Sequence, residues 1–217
     1  MKKIAIINTN PLTYDMLNTL FAKEIPEAEV FNILDDSLLP QARKTGVTED
    51  ILEKMRMYIK CAEITGADII LNQCSSVSAA VDILKDEVSV PYIKIDGPMA
   101  EKAVSLGKNI TVLATVESTL EPSLRLIEST AERLNRKINA KTVLVKGAID
   151  MLSEPDGEKK HNALILEEIE KQSPDCDVIV LAQASMHRIM DNLKETPVPV
   201  LSSPATAVAE IKRMLNC

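Results

Sequence analysis

The sequence predicts an α/β protein built from two pseudo-symmetric, doubly wound halves with parallel sheets and a cleft between them. Three observations carry this reading. Short aliphatic runs alternate with longer amphipathic stretches along all 217 residues, the pattern of strand–helix–strand units. The aliphatic runs stop abruptly in polar turns, as buried parallel strands do. The whole pattern then recurs at an offset of roughly 106 to 109 residues, which reads as an internal duplication.

In the first half, residues 3–7 form a strand that ends in Asn8-Thr9-Asn10-Pro11. A helix is expected over 13–23, stopped near Pro26, followed by a less apolar strand over 28–34. Residues 35–46 read as a polar connection, long enough to be a loop or lid. Arg43 and Lys44 lie in it, either to close over an anionic substrate or as ordinary exposed charges. Thr48 caps a long helix that buries Ile51, Leu52, Met55, Ile59 and Ala62 on one face and stops at Gly66. The strand over 68–72 runs into Gln73, Cys74, Ser75 and Ser76, and a helix follows over 76–85. A strand over 90–95 and a helix over 98–106, with Gly107 just beyond its end, complete this set.

The second half restarts with a strand over 110–114 that ends in Thr115-Val116-Glu117-Ser118-Thr119. Helices are expected over 121–134, 158–171, 186–193 and 205–215, and strands over 142–146, 177–181 and 198–201. Asp68-Ile-Ile-Leu-Asn-Gln-Cys74 aligns with Asp177-Val-Ile-Val-Leu-Ala-Gln183. Val90-Pro91-Tyr92-Ile93 aligns with Val198-Pro199-Val200-Leu201, and Pro98 with Pro204. The first half is therefore placed at 1–97, completed by the C-terminal helix 205–217, and the second at 98–204.

Composition narrows the function. A net charge of -7 and the lack of a long basic run argue against nucleic acid and anionic membrane surfaces as partners. Apolar runs are too short for a membrane span, and the start lacks a secretory signal pattern, so a cytoplasmic location is expected. Cys61, Cys74, Cys176 and Cys217 show neither disulfide nor zinc spacing and fit a reducing compartment. No glycine-rich dinucleotide or P-loop motif occurs, and no cofactor or metal site is read. The assembly stays open, a symmetric homodimer being the commonest arrangement.

Ligand chemistry in open α/β sheets sits at the carboxyl ends of strands, which singles out Cys74. A helix N-terminus behind it would favour the thiolate. The other reading is a buried, inert cysteine. Asn8 and Asn10 either line the site or are ordinary turn residues. Thr115, Ser118 and Thr119 can hold a carboxylate, and Ser118 or Thr119 can equally cap the next helix. His187, four residues beyond Gln183, is either a substitute acid/base or a surface histidine. His161, beside Lys159 and Lys160, reads as solvated.

The turn Asn8–Pro11, the strand-Cys-Ser-Ser at 74–76, the Leu113-Ala114-Thr115 turn with Ser118 and Thr119, and Leu181-Ala182-Gln183-Ala184-Ser185-Met186 together resemble the aspartate/glutamate racemase superfamily. That group also holds hydantoin racemases, maleate isomerases and arylmalonate decarboxylases. The resemblance implies cofactor-independent proton transfer at the carbon next to a carboxylate of a small acid, between a cysteine from each half. Carried over, Cys74 is the first acid/base. Ser75, Ser76, Thr115, Ser118, Thr119 and Ser185 bind substrate, with Asn8 and Asn10 at the first turn. The second cysteine is replaced by Gln183, whose amide can donate a hydrogen bond but not transfer a proton at neutral pH. Single-thiol decarboxylation or isomerisation then fits better than two-base racemisation. A non-catalytic carboxylate-binding protein is the alternative.

Overall fold

A computed structural model describes residues 1–193 and 195–217. The chain divides into two compact units, Met1–Asp96 with Ala207–Cys217, and Gly97–Thr206.

The first unit holds a four-stranded parallel sheet in the order β2-β1-β3-β4, formed by β1 (Lys3–Asn8), β2 (Glu29–Leu34), β3 (Ile69–Asn72) and β4 (Tyr92–Lys94). β1 and β3 are central and read IAII and IILN because both of their faces are covered. On one face Ile4, Ile6, Ile69 and Leu71 pack against Leu17 and Phe21 of α1 (Tyr14–Glu24). On the other, Ala5, Ile7 and Ile70 meet α2 (Leu38–Thr45), α3 (Glu49–Ile64) and α4 (Ala79–Leu84). α3 buries Ile51, Leu52, Met55, Ile59 and Ala62, the stripe its spacing predicts, and Gly66 at φ +85 ends the run.

The second unit repeats the order as β6-β5-β7-β8. Its strands are β5 (Asn109–Ala114), β6 (Asn139–Leu144), β7 (Val178–Leu181) and β8 (Val200–Ser202). Its helices are α5 (Gly97–Leu106), α6 (Leu120–Arg133), α7 (Ala148–Met151) and α8 (Gly157–Gln172). α9 (Ser203–Leu215) closes the chain, with Ala207, Val208 and Ile211 in the first unit's core. Asp68 and Asp177 play the same part in the two units. Asp68 accepts the backbone N–H of Lys3 at 2.8 Å, and Asp177 those of Lys108 and Asn109 at 2.8 Å. Gly107 permits this in the second unit, since a Cβ there would lie 2.1 Å from the Asp177 Cβ.

Several expectations are corrected. Part of the connection over 35–46 is the helix α2, which buries Leu38 and Ala42 one turn apart. Its Pro40 falls in the first turn, where a missing N–H breaks no helical bond. Thr48 stands at the N-terminus of α3 but makes no side-chain cap, and its hydroxyl oxygen is buried without a partner among the described residues. The strand expected over 142–146 starts earlier, because β6 is an edge strand whose pairing with β5 begins at Asn139. The helix over 76–85 is a 3-10 turn, Ser75–Val77, followed by the short α4. The helix over 186–193 is a 3-10 segment, Ala184–Asn192. His161 is not solvated: it lies on the buried stripe of α8 with Gly157, Ile165 and Ile169, four residues apart each time.

Candidate functional site

At the carboxyl end of the first unit's sheet, β3 delivers Asn72, Gln73 and Cys74 in succession, and Cys74 is 7% exposed. Its backbone is held from two sides. The Cys74 carbonyl accepts the Asn72 side-chain amide at 3.0 Å and the Val77 N–H at 3.2 Å. Cys74, Val77, Leu38 and Ala42 share one apolar cluster, so α2 lies against the turn behind the thiol. That turn is a single 3-10 turn and not an α-helix, so the field of a helix N-terminus is not built here as expected. Ser75 and Ser76 are exposed on the turn.

At this sheet end the strands present acceptors that lack donors among the described residues. Asn8 Oδ1, Asn72 Oδ1, Gln73 Oε1 and Asp96 Oδ1 are buried with no hydrogen-bond partner among the described residues. Each such group costs about 1–3 kcal/mol. Asn8 cannot relieve its oxygen by turning over, because its Nδ2 donates to Asn32 Oδ1 at 2.8 Å and to the Ile6 carbonyl at 3.3 Å. Gln73 stands beside it in the neighbouring strand, its N–H on the Ile7 carbonyl at 3.0 Å. Asn10 is half-buried in the same first turn.

Nothing in the residue pattern singles out Asp96, which follows β4 and is 7% exposed. Burial pushes its carboxyl above the usual range, and the nearby Ser75 hydroxyl and Lys94 only partly counter this. An isolated Asp before Gly-Pro looks like a turn residue. Its burial depends on β4 pairing with β3 through Asn72, whose carbonyl takes the Ile95 N–H at 3.0 Å.

The second unit's sheet end is closed on itself. Gln183 Oε1 accepts the Thr115 N–H at 2.7 Å and the Thr115 hydroxyl at 3.1 Å, tying the end of β7 to that of β5. Thr115 is expected to help hold a carboxylate, but its N–H and hydroxyl are both already bonded to Gln183. The Gln183 amide is turned with its N–H₂ end away from Thr115. Thr119 donates to the Val116 carbonyl at 2.7 Å and makes no side-chain cap for α6, while Ser118 and Ser185 are exposed. His187 is half-buried, with Nδ1 2.8 Å from the Ser202 hydroxyl. An open pocket of about 420 Å³ lies beside Thr115, with Glu117, Lys146 and Asp150 on its wall. Arg43 and Lys44 are exposed on the last turn of α2.

No group of three or more His, Cys, Asp or Glu arranged to hold a metal ion occurs among the described residues. No described helix is long and apolar enough to cross a membrane.

A family model described as Asp/Glu/Hydantoin racemase matches residues 4–211. This chain belongs to that family. Within it, the chain is 30% identical over 115 residues to a glutamate racemase of Trichodesmium erythraeum, covering 52% of this chain and 42% of that protein. It is 28% identical over 94 residues to a glutamate racemase of Picosynechococcus, covering 43% and 33%. The matched stretches thus span less than half of either relative. The fold is also that of solved family members. An aspartate racemase homologue from Pyrococcus horikoshii superposes with a TM-score of 0.73 at 17% identity, covering 100% of both chains. A glutamate racemase from Bacillus anthracis gives 0.69 at 15% identity, over 99% of this chain and 82% of that one.

Proposed function

We propose that this chain is a cofactor-independent enzyme of the racemase family that moves a proton at the carbon alpha to the carboxylate of a small acid. Cys74 is the thiol that takes or delivers it. The observation that carries this is the buried, donor-poor sheet end around Cys74. Four acceptor oxygens without partners among the described residues, at the sheet end that carries the thiol, are expensive as packing and reasonable as part of a binding site.

Deprotonation alpha to a carboxylate builds negative charge on the carboxylate oxygens, and hydrogen-bond donors aimed there lower the barrier. Backbone N–H groups and hydroxyls of the turn at Ser75 and Ser76 supply donors next to Cys74. Thr115, Ser118, Thr119 and Ser185 belong to the equivalent turns of the second unit, and Asn8 and Asn10 to the first-strand turn. Gln183 occupies the position of a second thiol and acts as a hydrogen-bonding group, not as a base. A one-thiol reaction, decarboxylation or isomerisation of a small dicarboxylate, is favoured over two-base racemisation by the two bonds that hold Gln183 on Thr115. His187, bonded toward Ser202, is the weaker candidate for a second proton donor. A cytoplasmic setting suits the four free cysteines.

The test is α-proton exchange in D₂O, followed by NMR across amino acids, hydroxy acids and substituted malonates, with decarboxylation products assayed in parallel. Exchange or turnover that vanishes in Cys74→Ala supports the reading. Tight binding of a small acid with neither exchange nor turnover would instead make the chain a carboxylate-binding protein.

A further inference from the structure

We propose that Asp96 is a positioning residue for Cys74, acting through Ser75, the first residue of the turn behind the thiol. This rests on the reading of Cys74 as the reacting group. The geometry has three parts. β4 runs beside β3 in register, Asn72 opposite Lys94, so the residues following each strand emerge side by side. Ser75 begins the 3-10 turn that starts from Cys74, and the same register carries Asp96 alongside the start of that turn. Asp96 Oδ1 is buried with no hydrogen-bond partner among the described residues, although an apolar residue at this site would avoid that cost.

Asp96 reaches the thiol in two ways. It holds the Ser75 side chain, and with it the orientation of the first N–H groups after Cys74. It also sets the local charge. Lys94 on β4 and Asp82 on α4 are the charged groups facing it, and they engage each other through Lys94 Nζ and Asp82 Oδ2. Burial raises the Asp96 carboxyl above its ordinary range, which disfavours a second negative charge near a Cys74 thiolate. A neutral acid kept in an apolar site can orient a neighbouring hydroxyl without opposing ionisation of the thiol.

The test is the rate of Cys74 alkylation by iodoacetamide across pH. It is read by peptide mass spectrometry so that the exposed Cys61 and Cys217 and the buried Cys176 are scored separately. Asp96→Ala and Ser75→Ala are each expected to change the Cys74 rate at neutral pH by about fivefold or more. The double variant should be no further from wild type than Asp96→Ala alone, as two groups on one path require. Asp96→Asn, which keeps a neutral hydrogen-bonding group, should stay within about twofold of wild type. Wild-type rates in Ser75→Ala overturn the proposal, even where Asp96→Ala does not fold. So do fully additive effects of the two substitutions. Alkylation reports on Cys74 without turnover, so α-proton exchange separates the two claims. Exchange intact with alkylation unmoved removes only the role of Asp96. Coupled alkylation without exchange or turnover for any acid removes only the proposed reaction.

Discussion

The two units share a fold and differ at the ends of their strands. Both have the same strand order, and both fasten the start of the central strand with an aspartate, Asp68 or Asp177, on backbone N–H groups. At the carboxyl ends they part. The first unit carries a thiol and four buried acceptors without donors among the described residues, whereas the second turns its own amide, Gln183, onto Thr115. The amino ends of the strands keep the architecture. The carboxyl ends carry what differs between the halves, and the half that is left chemically unsatisfied is the one with the thiol.

Removing that thiol should have the largest effect. Cys74→Ser should lower α-proton exchange or turnover by at least about a hundredfold, the usual worth of a positioned acid/base. The same assay on Cys176→Ser should show no loss. Next comes Gln183→Cys, which places a thiol at the equivalent strand end. It is expected to turn one-sided exchange into interconversion of enantiomers, measured by chiral chromatography. Wild-type protein that already interconverts enantiomers would show the asymmetry to be irrelevant. Gln183→Ala should cost about 1–3 kcal/mol in urea unfolding, because it strands the Thr115 N–H and hydroxyl. An equal loss in Gln73→Ala would contradict the idea that the first unit's amide is the unsatisfied one.

The smallest effects lie in the pH dependence of stability, where Asp96 and Asp177 have opposite signs. Asp177 is held below the usual carboxylate range by the N–H groups of Asn109 and Lys108. Its contribution is complete above the unfolded value near 3.9 and is lost as pH falls through the lower folded value. Asp96 is raised by burial, so folding favours its protonated form. Its contribution is present at low pH and lost as pH rises from the unfolded value through the folded one. Asp96→Asn should therefore raise the melting temperature at pH 7 more than at pH 3. Asp177→Asn should lower it at pH 7 and have less effect at pH 3. Matching pH profiles for the two variants would remove the contrast.

Much of the fold is legible from local pattern. The apolar run at 69–71 and its counterpart at 178–181 could only be buried strands, and the stripe from Ile51 to Ala62 could only be one face of a helix. α2 was not legible, because its polar surface of Arg43, Lys44 and Thr45 hides a two-residue apolar contact, Leu38 and Ala42. The edge strand β6 was misplaced by three residues at its start because exposed positions such as Lys141 and Thr142 carry no burial signal. His161 was masked by its charged neighbours, although its spacing from Ile165 and Ile169 placed it on the buried stripe.

The sequence by itself determined the alternation of strands and helices, the duplication, the presence of Cys74 at a strand end and the lack of a cysteine at position 183. These follow from the side-chain period of each element and from residue identity, which need no long-range partner. Only the folded arrangement shows that Gln183 bonds to Thr115, that Asp96 is buried, and that the acceptors at the first unit's sheet end lack donors among the described residues. Each depends on strands distant in sequence being brought into register, and the state of a polar group is set by which donors that register places beside it.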